Sequence, residues 1–401
     1  MTEETILIVE GSPDIRLGLK SILQRRGYRL LVAENGEKGI RLARTEGVDL
    51  ILLDTELSKM DGFAVCEVLK NDPVTGEIPI LFLSAGTEVK NKVRGLRLGG
   101  EDYIDRPLDR GEVLARVQTQ LRVRRLNREL AESNAALLEM QVRMEEDLRA
   151  AREMQRSLLP RHCPVSWPVQ AAWRFQPGQR VGGDLFTIFP LTGDALGFYM
   201  LDVSGHGVAA VLVAMSVARA LDPASGSGIV VRGRGREEIV PPAEVLTILD
   251  KQFPMERFDT FFTVFYGVFD LKSRTLSYSS AGHPPSFLLR QGGEVDFLDK
   301  GGAIIGLGGA QPFEGGMLSV RPGDRVVLYT DGLVEYERED EEMFGQDRLL
   351  ELLVAHKDME PEQFASSVIR DVLAFGNGSV PGDDQSLLLL EFDGGIRLET
   401  S

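Results

Sequence analysis

Asp202-Val203-Ser204-Gly205-His206-Gly207 is the stretch from which the fold of this chain can be read. It closes the apolar run 197–203 and precedes a helical pattern over 208–220, so it reads as a strand end turning into a helix with an aspartate at the turn. Aspartate close to glycine recurs in Gly182-Gly183-Asp184, Thr330-Asp331-Gly332 and Gly382-Asp383-Asp384-Gln385-Ser386. Taken singly, each aspartate is an ordinary turn or cap residue. Several converging from strand ends make an oxygen donor set suited to hard divalent cations such as Mg²⁺ or Mn²⁺. Two such ions can make a water nucleophilic and neutralise a phosphoryl group. The chain therefore reads as a metal-dependent phosphoester hydrolase.

Outward from that stretch, strand-like runs dominate: 261–269, 275–281, 286–290, 325–329 and 387–392. Helical patterns fall at 208–220, 243–252, 348–355 and 362–375. Strands outnumber helices and come in runs, which predicts an α+β domain. Residues 222–236, rich in Gly, Ser and Arg, read as a mobile, solvated surface loop.

The order and spacing of the acidic stretches resemble the SpoIIE-type branch of the PPM family of metal-dependent serine/threonine protein phosphatases, from about residue 151 to 392. Ala151-Arg152-Glu153-Met154-Gln155-Arg156-Ser157-Leu158-Leu159-Pro160 resembles the helix leading into that domain. Ala281-Gly282-His283-Pro284-Pro285 is similar to the family's A-G-H-N-P-P turn without its Asn, and Ile305-Gly306-Leu307 to a further turn. The resemblance implies a central β-sandwich flanked by helices and two Mn or Mg ions. Asp202 would bridge the ions, helped by the backbone carbonyl of Val203, while Asp331 and Asp383 would hold the second. Asp184 would bind directly or through water, and Asp384 would contribute less. His206 would donate a proton to the leaving oxygen or else shape its loop. His283 reads as structural. Cys163 lacks a Cys-x5-Arg context, so a cysteine nucleophile is not expected. The implied substrate is phosphoserine or phosphothreonine on a STAS-type anti-sigma antagonist.

Towards the N-terminus the pattern changes. The runs 6–9, 50–53 and 80–83 are short and branched, like parallel strands buried on both faces, and helical stretches lie between them at 15–26, 38–45 and 63–69. This βα repeat predicts a doubly wound sheet, with its functional groups at the carboxyl ends of the strands. Those ends carry Glu10, Asp54, Ser84 and Arg106-Pro107. Asp49-Leu50-Ile51-Leu52-Leu53-Asp54, Lys59-Met60-Asp61-Gly62-Phe63 and Gly99-Gly100-Glu101-Asp102-Tyr103-Ile104 resemble segments of the response-regulator receiver domain. The resemblance implies Asp54 as phosphoacceptor, served by an upstream histidine kinase. Mg would sit on Glu10, Asp54 and the Glu56 carbonyl, with Ser84 and Arg106 against the phosphoryl group and Tyr103 as the aromatic switch. Two departures bear on this. Gly11 stands where the family has a second metal-binding acid, and Arg106 stands where it has Lys.

Between these parts, Val123, Leu126, Leu130, Ser133, Leu137, Met140, Met144, Asp147, Ala151, Met154 and Leu158 recur at alternating steps of three and four. All but Ser133 and Asp147 are apolar. A coiled coil of about five heptads is expected, and with it a homodimer. The expected domains are a receiver over 1–120, the linker over 121–158 and a phosphatase over 159–401.

The 401 residues suit more than one domain, and the apolar share of 43% is that of globular protein. A formal charge of -16 argues against nucleic-acid and anionic-membrane partners. No apolar run is long enough to span a bilayer, and the first apolar run is too short for a signal peptide. With Cys66 and Cys163 as the chain's two cysteines, a cytoplasmic setting is expected. The rival reading is a phosphatase-shaped adaptor that sequesters a partner without turnover. A nucleotidyl cyclase ranks lower, because no nucleotide loop stands out.

Overall fold

Short, branched strands buried on both faces build the first part of the chain, as the βα pattern predicts. In this computed structural model, which describes residues 3–85, 89–160, 168–192, 194–233, 237–308 and 312–393, they form one parallel sheet. Its strands are β1 (Thr5–Val9), β2 (Arg29–Ala33), β3 (Leu50–Asp54), β4 (Ile80–Ser84) and β5 (Asp102–Asp105), in the order β2-β1-β3-β4-β5. Helices α1 (Pro13–Gln24), α2 (Gly36–Thr45), α3 (Gly62–Lys70) and α4 (Val89–Arg97) cover both faces. Every residue of β1, β3 and β4 is buried, which explains why they read as unbroken apolar runs. The strand order reverses between β1 and β3, so Glu10 and Asp54 meet at a crevice.

Helix α5 (Arg110–Leu158) runs for 49 residues, roughly 74 Å at the usual rise. Val113, Leu114, Val117 and Leu121 are buried in the receiver core. Further along, Leu130, Leu137, Met140 and Met144 are 60–70% exposed. Ala151, placed by its spacing in the same seam, is instead buried in a cluster with Val181 and Val211, against Leu148 and Met215. A small residue is what this close helix docking requires. The chain divides into compact units at Met1–Gln141 and Val142–Ser401, a division that falls inside α5.

The second unit is built from two mostly antiparallel sheets. One contains β7 (Leu185–Pro190), β8 (Ala195–Val203), β11 (Phe262–Asp270), β12 (Thr275–Ala281), β15 (Gly301–Gly302) and β16 (Gly316–Ser319). The other contains β6 (Val169–Gln176), β13 (Ser286–Leu289), β14 (Val295–Leu298), β17 (Arg325–Tyr329) and β18 (Gln385–Phe392). Phe186, Phe198, Met200 and Phe265 of the first meet Leu288, Leu328, Leu388 and Leu390 of the second to make the central core. Helices α6 (Val208–Leu221) and α7 (Pro242–Gln252) cover the outer face of the first sheet. On the second sheet lie α10 (Gln346–Ala355), α11 (Pro361–Phe375) and the short α9 (Asp331–Val334), while the short α8 (Met255–Phe258) packs with α6 and α7. The sandwich flanked by helices is the architecture expected of this part.

The stretch read as a solvated loop differs from that expectation. Ile229 and Val230 are buried against α6 and α7, and β9 (Val231–Arg232) pairs with β10 (Glu238–Ile239). The two apolar residues pin the segment despite its Gly and Ser content. Residues 234–236 and Cys163 lie outside the described residues.

Candidate functional site

At the receiver crevice, Glu10 follows β1, Asp54 ends β3, Ser84 ends β4 and Arg106 follows β5. Glu10, Asp54 and Ser84 are buried. Arg106 Nη2 donates to Glu10 Oε2 at 2.5 Å and lies 2.8 Å from Asp54 Oδ1. Glu10 Oε1 accepts from the Ser12 amide, and Asp54 Oδ1 also accepts from the Glu56 amide. Arg16 donates to the carbonyls of Glu10 and Gly11, each at 2.7 Å. Burial, and then the neighbouring charge of Asp54, pushes the Glu10 carboxyl above its ordinary value. Tyr103 is turned inward, its hydroxyl donating to the Asn91 carbonyl and its ring stacked on Phe82. A Cβ at Gly95 would lie 1.9 Å from that hydroxyl, so glycine makes the inward pose possible.

This donor set does not fit the expected Mg²⁺. Both carboxylate oxygens of Glu10 are engaged, Gly11 offers no carboxylate, and a guanidinium already bridges the two acids. Sequence reading identified these positions but not this pairing.

In the second unit, antiparallel register gathers the acidic stretches. Leu185 of β7 pairs with Leu201 of β8, which brings Asp184 to Asp202. Tyr329 of β17 pairs with Leu387 of β18, which brings Asp331 to Asp383 and Asp384. The two sheets are then tied together at this end. Asp184 Oδ2 accepts from Thr330 Oγ1 at 2.7 Å and from Ser386 Oγ at 2.6 Å.

The carboxylates crowd one another. Burial, then the charges of Asp202 and Asp384, raises Asp184 well above the usual carboxylate range. Burial, then Asp331 and Asp383, pushes Asp202 up to about 7. Asp331 is pushed up to about 6 by burial, then by Glu335 and Asp383. Asp384 is also raised, chiefly by burial. Such crowding is relieved by a cation or by protons.

Among the described residues, no three His, Cys, Asp or Glu side chains enclose a metal-sized point on their own. A Mg²⁺-like ion keeps several waters and takes only one or two carboxylates, so an open set of this kind fits it. Glycine keeps the approaches clear. A Cβ at Gly183 would lie 2.7 Å from the Val203 carbonyl oxygen, and one at Gly182 would lie 2.5 Å from Asp384 Oδ2.

A cleft of about 530 Å³ borders this end of the sandwich, lined by Arg180, His206, Glu335, Arg338 and Asp383 among others. His206 is exposed on its wall. Arg338 is held by Asp340 and Glu342. His283 is buried away from water, with Nδ1 3.0 Å from Thr263 Oγ1, and burial pushes it down to about 3. Sequence reading quoted Thr330, Ser386 and Gln155 within its motifs but gave them no role, and it missed Arg180, whose local signal is its closeness to Gly182-Gly183-Asp184.

Residues 192–393 match the family described as Stage II sporulation protein E (SpoIIE), and residues 6–118 match the response regulator receiver domain. Among curated relatives, Protein IcfG of Synechocystis sp. is 27% identical over 261 residues, covering 60% of this chain and 41% of that protein. The DNA-binding dual master transcriptional regulator RpaA of Synechocystis sp. is 41% identical over 117 residues, 29% of this chain and 48% of that protein. The chain thus spans less than half the length of these relatives. Among solved structures, the SiaA-PP2C domain of Pseudomonas aeruginosa matches with a TM-score of 0.52 at 24% identity, covering 63% of this chain and 99% of that domain. That is a likeness of fold. No helix among the described residues is long and apolar enough to cross a membrane.

Proposed function

Because the chain belongs to the SpoIIE family and carries a receiver domain ahead of its phosphatase-type domain, we propose that it is a receiver-regulated, metal-dependent phosphatase acting on phosphoserine or phosphothreonine of a protein partner. The observation that carries this is the buried carboxylate cluster. The charges that most disfavour ionisation of Asp202 are those of Asp331 and Asp383 on the opposite sheet. A site built this way is completed by bound cations. The implied partner is a STAS-type anti-sigma antagonist, and the domains proposed are a receiver over 1–120, a linker over 121–158 and a phosphatase over 159–401.

Divalent ions, once bound, would lower the pKa of a water and neutralise the phosphoryl oxygens. Asp202 would hold both ions, with the Val203 carbonyl beside it, and Asp331 and Asp383 would hold the second. Thr330 and Ser386 fix the Asp184 carboxylate, so it cannot swing into the cleft as charge builds up. His206, on the cleft wall, would give a proton to the departing serine or threonine oxygen. The cleft has room for a phosphorylated side chain, while Asp184 is buried and is not part of its lining.

The exposed row Val123, Leu126, Leu130, Leu137, Met140 and Met144 supports a second copy of this chain as the partner of α5. Hydrolysis of p-nitrophenyl phosphate tests the catalytic reading. Wild type should turn it over only with Mn²⁺ or Mg²⁺, and Asp331→Ala should lose at least about 100-fold with its circular dichroism unchanged. Equal activity in excess chelator would falsify it.

A further inference from the structure

The heptad register places Gln155 outside the seam, and the resemblance of residues 151–160 to an entry helix gives it no role of its own. Yet it is 3% exposed. Its side-chain amide Nε2 donates to Asp384 Oδ2 at 2.7 Å, to the Asp184 carbonyl at 3.1 Å and, more loosely, to the Gly182 carbonyl at 3.4 Å. The second Asp384 oxygen accepts from the Gly178 amide at 3.0 Å. Both oxygens of that buried carboxylate are therefore occupied, one of them by a side chain from the last turns of α5. The backbone amide of Asp384 in turn donates to Asp383 Oδ1 at 2.8 Å. A short chain of hydrogen bonds thus runs from the helix to a candidate metal-holding carboxylate.

The docking that delivers Gln155 is built one turn at a time. Leu148 and Ala151 pack on Val181 and Val211, and Gln155 follows Ala151 by four residues on the same face. Arg152 Nη2 donates to the Gln179 carbonyl at 2.6 Å. The hydrogen bonds of Arg152 and Gln155 all fall on the segment 178–184 or on Asp384. There is no slack in the arrangement, because any side chain at Gly182 would strike the Asp384 carboxylate.

We propose that Gln155 is a positioning residue that holds Asp384, and through it Asp383, in the arrangement that binds divalent cations, so that docking of the last turns of α5 sets the metal affinity of the phosphatase site. The proposal deepens the two-ion reading and rests on it. Outer partners of metal-binding groups typically change metal affinity by about 10–100-fold when removed. Without the amide, Asp384 is left with one donor in a buried place, and Asp383 loses a fixed neighbour.

The test measures Mn²⁺ affinity apart from catalysis, as the rise in the unfolding midpoint of the full chain with Mn²⁺ concentration, followed by tryptophan fluorescence. Gln155→Met keeps the length of the side chain and removes its donors. It should need about 10–100-fold more Mn²⁺ for half of the midpoint rise and for half-maximal turnover, with kcat recovered at saturating Mn²⁺. Gln155→Glu, which sets a carboxylate against Asp384, should be worse. In an Asp384→Asn background, Gln155→Met should cost little further Mn²⁺ affinity, because the group it acts through is gone. A role confined to folding would lower the metal-free midpoint in both backgrounds and leave the Mn²⁺ requirement unmoved, which would overturn the proposal. Equal Mn²⁺ requirements in wild type and Gln155→Met, with a midpoint rise present in both, would overturn the role of Gln155 and leave the metal site standing. No midpoint rise in wild type would remove both.

Discussion

Replacing Asp202 with Asn in the metal-free protein should stabilise it, and by an amount that depends on pH. The carboxyl is pushed from its ordinary 3.8 up to about 7, chiefly by burial and then by Asp331 and Asp383. At about 1.4 kcal/mol for each tenfold change, this penalises the ionised form by up to about 4 kcal/mol. A hydrogen bond with Asp184 shares that penalty, so about 2–4 kcal/mol falls to Asp202. The folded pKa lies above the unfolded one. The folded state therefore binds more protons through this window, and stability falls as pH rises from about 4 to about 7. Asn carries no such slope. In chelator, the gap between Asp202→Asn and wild type should be small near pH 4.5 and open in favour of the variant towards pH 8. Urea unfolding followed by tryptophan fluorescence reads it, since Trp173 lies in β6 of the second unit. His283, pushed down to about 3, contributes the opposite slope below pH 6.5, but it is present in both proteins and cancels in the difference. With saturating Mn²⁺ at pH 8 the order should reverse, because only wild type gains binding energy from both ions. A gap that does not change with pH in chelator would refute the reasoning.

Other expectations follow from the receiver and from α5. Incubated with acetyl phosphate and Mg²⁺, the wild-type chain should gain no phosphoryl mass on Asp54, since Arg106 bridges Asp54 and Glu10. Gly11→Asp combined with Arg106→Lys should gain it, because a Cβ at Gly11 meets no atom within 4 Å, and adding Asp54→Ala should abolish the gain; stoichiometric modification of wild type would refute this. Light scattering at micromolar concentration should give a dimer for the wild-type chain and a monomer for Leu130→Lys with Leu137→Lys, which sets charge in the seam.

What could be read from the sequence was what depends on near neighbours. The buried strands β1, β3 and β4 declare themselves because parallel strands tolerate little but branched apolar residues. Asp202 and Asp331 stand out because each lies at the end of an apolar run, within three residues of a glycine. What could not be read depends on the meeting of distant segments. Arg106 bridges Glu10 across 96 positions, and Gln155 reaches Asp384 across 229. Thr330 and Ser386 look like common strand-end residues until the two sheets close on Asp184. Ala151 fits the heptad spacing as well as any seam residue does, and only the three-dimensional packing shows that it faces Val181 and Val211 instead.

The placement of Gln155 also bears on how the gene is cut to make fragments. A fragment starting at residue 159 keeps each aspartate of the cleft and both sheets, but it discards Leu148, Ala151 and Gln155. Val181 and Val211 would then face water, and Asp384 would keep the Gly178 amide alone of its two donors. A sluggish fragment of that length would report a missing piece of helix rather than a poor catalyst, and more Mn²⁺ in the buffer would restore part of its rate. Starting at Val142 retains these contacts, so the two fragments compared side by side would measure what the final turns of the helix contribute.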